Sequence, residues 1–199
     1  MALQYSVTTR NNQLDQVEAT AGVSAKLQIF TGAAPADCAT ASSGTKLVEM
    51  ALPADWMNAA STGTKTKLGT WSGTGLAAGT AGYFRIVDSA GTTCHAQGTT
   101  GVSVVIATSA LTAANGNVLT FAATTGVVVG MIVSGTGVVA GSTVVAVTGT
   151  TVTMSLTSTA GVASAASITF AYDLPLDNTS IAVSQVVTVN TFTLSAANA

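Results

Sequence analysis

Tyr83-Phe84-Arg85-Ile86-Val87-Asp88-Ser89-Ala90-Gly91-Thr92-Thr93-Cys94-His95-Ala96 is the stretch that decides the fold class of this chain. An aromatic and β-branched run meets a turn-forming Asp-Ser-Ala-Gly, and a second extended run follows. That is the signature of a β-hairpin. Working outward, Lys26-Leu27-Gln28-Ile29-Phe30 and Leu47-Val48-Glu49-Met50-Ala51-Leu52 alternate as strands do, and Pro53-Ala54-Asp55 turns the chain before Trp56. Lys65 to Trp71 reads as one alternating strand with its threonines or lysines outward, and Gln185 to Leu194 as one long alternating strand near the C-terminus. The one credible helix lies near the start. Ser6 can cap it and Gly22 can end it, Leu14 and Val17 face one way, and Asp15 and Glu18 form its solvated face.

Between Val102 and Phe170 the texture changes. Val118–Phe121, Val127–Val133, Thr143–Val147, Val152–Leu156 and Ile168–Phe170 read as short strands separated by Gly, Ser and Thr. Their recurrence roughly every 10–12 residues fits a small sandwich or barrel. Gly130, inside the second run, reads as a bulge. The expectation is an all-β protein: a jelly-roll-like β-sandwich domain with a short N-terminal helix, formed by 1–101 plus 172–199, and a nested small β-sandwich or barrel formed by 102–171. The C-terminal strand would close a sheet begun in the first half.

Charge supports the same division. Among 199 residues there are six Lys plus Arg and eight Asp plus Glu, so 7% are charged and the net charge is −2. An ordinary soluble domain carries roughly 25%. Twelve of these charges lie between Arg10 and Asp88, two are Asp173 and Asp177, and Ser89–Tyr172 holds none apart from His95 if protonated. So few cations cannot build a phosphate-neutralising surface, which argues against a nucleic-acid partner. Mean hydropathy is positive, but the longest apolar run, Val127–Val133, falls well short of the ~20 residues of a spanning helix. No basic region followed by an apolar run opens the chain, so no secretory signal is read and no membrane partner is expected. With 48% hydrophobic residues the chain is not a disordered polymer.

Residues that could carry chemistry are few. His95 is the sole histidine, and its neighbour Cys94 would point to the opposite face of a strand, so no nucleophile–base pair is read and no catalytic residue is assigned. Gly73–Gly79 and Gly135–Gly141 are both GxGxxxG, one residue longer than a dinucleotide loop and opening no helix; they read as strand connections. Asp173 and Asp177 flank a Leu-Pro-Leu turn but offer too few oxygens to converge on calcium, and Cys94-His95 lacks the further ligands of a zinc site. No cofactor and no metal is expected. Cys38 and Cys94 fall in the same predicted domain, so they stand either as two reduced thiols or as one intramolecular disulfide. Trp56, Trp71, Tyr83, Phe84 and Phe192 are the expected core anchors.

The flanking segments carry a resemblance. Leu3–Val7, Arg10-Asn11, Leu14-Asp15, Val17-Glu18, Lys26 to Cys38 with Thr31-Gly32-Ala33-Ala34-Pro35, Leu52–Trp56, Gly79–Arg85, Gly91–His95 and Asp177 to Leu194 resemble, in the same order, a family of small tailed-phage virion structural proteins. The match covers about 1–100 and 172–199. The central segment, including Gly130-Met131 and Val138–Val147, is similar to a Thr/Gly-rich β module recurring in phage structural proteins. The resemblance implies no enzyme and no catalytic residues. It implies a virion protein, a capsid decoration or cement protein on the capsid surface, assembled in the host cytoplasm, with the major capsid protein as partner and self-association into a homo-oligomer. The alternative it leaves open is a tail, neck or fibre component whose β module contacts host surface glycans.

Overall fold

Ser6 opens the first element of the computed structural model, which describes residues 4–158 and 160–196. Its hydroxyl accepts from Thr9 N at 3.1 Å at the start of helix α1 (Val7–Ala21), and Gly22, at φ 80°, ends the helix by donating to the Glu18 carbonyl at 2.9 Å. Six strands follow: β1 (Lys26–Thr31), β2 (Lys46–Ala51), β3 (Thr64–Thr66), β4 (Trp71–Thr74), β5 (Gly79–Val87) and β6 (Cys94–Gly101). Six short ones come next: β7 (Val104–Ala107), β8 (Val118–Thr120), β9 (Ile132–Ser134), β10 (Val144–Val147), β11 (Thr151–Met154) and β12 (Ser167–Ala171). The chain closes with β13 (Leu174–Pro175), β14 (Ser180–Ile181), β15 (Val186–Val189) and β16 (Thr193–Ser195). The protein is all-β with one short N-terminal helix. Two compact units form, Met1–Val102 with Asp173–Ala199, and Ser103–Tyr172.

In the first unit the main sheet runs β13-β6-β5-β1-β2, with β14 also paired to β5, while β15 pairs β4 and β16 pairs β3. The inner face of the main sheet carries Leu27, Ile29, Met50, Phe84 and Ile86, and these pack with Trp56, Trp71, Val187, Val189 and Phe192 in one core. Its centre is aromatic: Trp71 lies 5.9 Å from Trp56 and 5.4 Å from Phe192, whose ring meets Phe84 edge-on at 5.6 Å. Tyr83 is buried too, but on the opposite face of the sheet, stacked on Phe30 at 5.0 Å. Both faces of β1 are therefore covered, and Leu27, Gln28, Ile29 and Phe30 are all buried in succession. The chain departs after β6 and returns as β13 beside it, the two strands pairing in parallel with Leu174 opposite Thr100 and Pro175 opposite Gly101.

The second unit joins β10-β11-β8 and β7-β12-β9. Bridges between Ile132 and Thr143, and between Thr108 and Phe121, link the two sheets at both seams, so the six strands close on themselves as a small barrel. Leu119, Phe121, Met131, Val133, Val144, Val152, Met154, Ile168 and Phe170 fill its interior. The circuit has an internal two-fold: replacing β7, β8 and β9 by β10, β11 and β12 reproduces every pairing. Loop sequence repeats with it. Gly126-Val127, Gly130-Met131 and Val133 correspond in spacing to Gly161-Val162, Ala165-Ala166 and Ile168, and both loops put their equivalent residues, Gly130 and Ala165, at positive φ (95° and 61°).

Several strand expectations need correction. Lys65–Trp71 is two strands, because Gly69 at φ 68° turns the chain between β3 and β4. Gln185–Leu194 is also two, broken at Asn190–Phe192 where Phe192 turns into the core. Val127–Val133 is mostly loop: Gly130 is a turn residue and not a bulge, and only Ile132 and Val133 belong to β9. Val104–Ala107 forms a further strand, β7, ahead of the first of the short runs.

Candidate functional surface

The charged residues explain what the surface can and cannot do. Lys65 sits on β3 between Thr64 and Thr66, and alternation places it inward, against the expectation of outward lysines; its side chain is 3% exposed. Nζ lies 2.7 Å from Asp15 Oδ1 and 2.9 Å from Glu18 Oε2. Glu18 Oε1 accepts from Trp56 N and Met57 N at 2.9 Å each, and Asp15 Oδ1 accepts from Ala60 N at 3.0 Å. Both carboxylates thus dock α1 onto the chain, Glu18 largely covered and Asp15 still about half in solvent. The Lys65 ammonium, with the Ala60 amide, holds the Asp15 carboxyl below its usual range, and the two carboxylates raise Lys65 against the opposing effect of burial. An open cleft of about 480 Å³ lies over the triad, lined also by Asp55, Met57, Asn58 and Leu68.

Most of the other charges are likewise engaged within their own unit, while Asp55 is exposed. Glu49 receives Lys46, Lys26 and the Gln28 amide, and is lowered chiefly by the Lys46 hydrogen bond. Arg85 is buried, and its Nη2 donates to the carbonyls of Asp37 and Thr40 at 3.0 and 2.7 Å and to Gln97 Oε1 at 2.9 Å. Asp88 caps its own hairpin turn, accepting from Thr92 N and Gly91 N at 2.9 Å, which pulls it from 3.8 to about 2. Asp173 accepts from Thr99 N and Oγ1, whereas Asp177 accepts from Asn190 Nδ2, so these two carboxylates serve different neighbours. The GxGxxxG stretches connect β4 to β5 and β9 to β10. His95 is half-buried on β6, and Cys38 meets Cys94.

What remains outward is largely uncharged and partly aliphatic. On the barrel, Val105, Leu111 and Val129 are 62%, 70% and 64% exposed, with Val118, Val128 and Val145 also exposed. Val23, Leu76, Val183 and Val186 are exposed on the first unit. Among the described residues no group of three His, Cys, Asp or Glu side chains is placed to hold a metal ion, and no helix is long and apolar enough to cross a membrane. Burial pushes the Cys94 thiol up to about 12, with its contact to Cys38 adding to the rise. One local signal foreshadows the Lys65 triad, a lysine flanked by two threonines on a short alternating strand. No family model matches the chain, and no curated protein or solved structure matches it either.

Proposed function

We propose that this protein is a non-enzymatic structural component of a tailed-phage virion, a capsid decoration protein that binds the major capsid protein lattice as an oligomer and stabilises the head. The observation that carries this reading is the distribution of charge. Most charged side chains are engaged by neighbours of their own unit, Asp55 being the exposed exception, and the second unit presents exposed valines and Leu111 with no formal charge at all. Such a surface can be buried against a partner without desolvating ions, whose burial is costly unless they are paired. The order of short motifs in the flanking segments supports the same assignment.

Binding of this kind is insensitive to salt, because few ionic contacts exist to be screened. The test is addition of purified protein to mature capsids lacking it. Retention through washes at about 1 M salt, where the Debye length has shrunk to ~3 Å, is the expected result; release at moderate salt overturns it. Copy number from stained gels of virions separates a head lattice, with hundreds of copies, from a tail or neck ring with far fewer.

A further inference from the structure

The connection between β1 and β2, residues 32–45, forms no regular element and is strapped across the sheet face that carries Tyr83 and Arg85. Tyr83 Oη donates to the Ser43 carbonyl at 2.6 Å and accepts from Ser43 N at 2.9 Å; Gln97 Nε2 donates to the Pro35 carbonyl at 2.7 Å. Arg85 holds the carbonyls of Asp37 and Thr40, on either side of Cys38. These bonds fix the strap so that Cys38 Sγ lies 2.7 Å from Cys94 Sγ on β6, although the residues are 56 apart in sequence. Both are free thiols in this structure, and both are half-buried. Two sulfurs at that separation need only a small closing movement to reach the ~2.05 Å of a disulfide bond.

We propose that Cys38 and Cys94 are a disulfide-forming pair, a covalent lock that fastens the 32–45 strap to β6 on oxidation and frees it on reduction. The proposal is independent of the virion reading. The oxidant is a small-molecule disulfide of the glutathione class. Cys38 loses its proton and its thiolate attacks one sulfur of that disulfide, forming a mixed disulfide and expelling one small thiolate. Cys94 then gives up its proton and attacks the Cys38 sulfur, expelling the second small thiolate. The protein is oxidised by two electrons, the small disulfide is reduced to two thiols, and the two cysteine protons go to solvent or to the leaving thiolates. Burial keeps the Cys94 thiol protonated, with Cys38 adding to that effect, so Cys38 on the strap is the attacking sulfur.

The test uses the whole chain, reduced and then incubated with oxidised glutathione before alkylation with N-ethylmaleimide. The expected product has lost two hydrogens and carries no alkyl or glutathione adduct, and its peptide map joins Cys38 to Cys94; a reductant restores two alkylatable thiols. Two alkylated cysteines, two glutathione adducts or a disulfide-linked dimer overturns the pairing. Cys94→Ser should stop at a stable single adduct on Cys38; the same variant carrying no adduct would refute Cys38 as the attacking sulfur. Elastase cleavage within the alanine-containing 32–45 segment should slow on the order of tenfold in the oxidised protein. An unchanged rate in a protein shown to be cross-linked would refute the lock.

Discussion

Glu18→Gln is the perturbation that tests most directly how the helix is held. The substitution is isosteric, and its amide oxygen can still accept from Trp56 N and Met57 N, as Glu18 Oε1 does at 2.9 Å. It then turns an NH2 group towards the Lys65 ammonium, where Oε2 stood at 2.9 Å. A charge-assisted hydrogen bond is lost and two donors face each other, at a cost of about 2–3 kcal/mol. Lys65→Met should cost about 3 kcal/mol, the low end for breaking a buried pair. The reason is that Asp15, 46% exposed, returns to water, and Glu18, 18% exposed, alone stays desolvated. If the two residues act as a unit, the double variant falls short of the sum by about 1.5–2 kcal/mol. Urea unfolding followed by tryptophan fluorescence reads this cleanly, because Trp56 and Trp71 are the chain's two tryptophans and both belong to the first unit. At an m-value of about 2 kcal/mol/M each single variant lowers the midpoint by roughly 1–1.5 M. A coupling below about 0.5 kcal/mol would place the pair with ordinary surface salt bridges and refute the argument.

Trp71→Ala removes the ring shared by Trp56 and Phe192 and should destabilise the first unit by about 3–5 kcal/mol in the same urea assay; a negligible change would mean the ring is not packed as described. Asp88 is lowered from 3.8 to about 2, so its contribution is complete above pH 4 and is lost as pH falls towards 2. Asp88→Asn should flatten the acid limb of a stability–pH curve, and an unaltered limb would count against the turn's amides as the cause. Replacing 102–171 with a short Gly-Ser linker should leave a cooperatively melting remainder, because Thr100 and Gly101 already pair with Leu174 and Pro175; loss of the cooperative melt in calorimetry would sink that expectation. Gly137→Ala would drive a Cβ into the Gly161 carbonyl at a positive-φ position and should destabilise the barrel by more than about 1 kcal/mol, measured by hydrogen exchange of its amides.

The strands legible in the sequence are the longer apolar runs β1, β2 and β5, and β1 and β5 are buried on both faces. β2 and β5 carry their apolar residues at the alternation a sheet face demands, and the Asp88–Gly91 turn between β5 and β6 is written in turn chemistry. Alternation misled where the inward residue is a cation. Lys65 obeys the period of two but reverses the usual polarity, since its partners arrive from α1, about fifty residues earlier. Local pattern cannot show a neighbour that distant. The same reason hid the role of Arg85, whose acceptors are backbone carbonyls of Asp37 and Thr40 and so leave no side-chain signature in the sequence. The aliphatic run Val127–Val133 failed for a different reason: a valine-rich segment favours strand, but Gly130 at φ 95° supplies a turn that the composition of its neighbours conceals.

The architecture of the charge-free segment accounts for how it can be so poor in ions without exposing sheet edges. Natural sheets guard free edges with charged residues, proline or bulges, all of which discourage edge-to-edge pairing. Ser103–Tyr172 has no charged residue and no proline to use for this. Closure does the work instead. The bridges at Ile132–Thr143 and Thr108–Phe121 join its two three-stranded sheets at both seams, so each strand has a neighbour on either side. Backbone amides and carbonyls are satisfied within the circuit, as at Ser109 N to the Thr120 carbonyl and Val133 N to the Ser142 carbonyl, both 2.8 Å. What the barrel offers a partner is therefore side-chain surface and not strand edge. Contacts through Val105, Leu111 and Val129 would be made by apolar burial, roughly 25 cal/mol for each Å² removed from water. On that basis, Val105→Lys or Val129→Lys should weaken association while leaving the barrel's own fold intact, since neither side chain contributes to its interior.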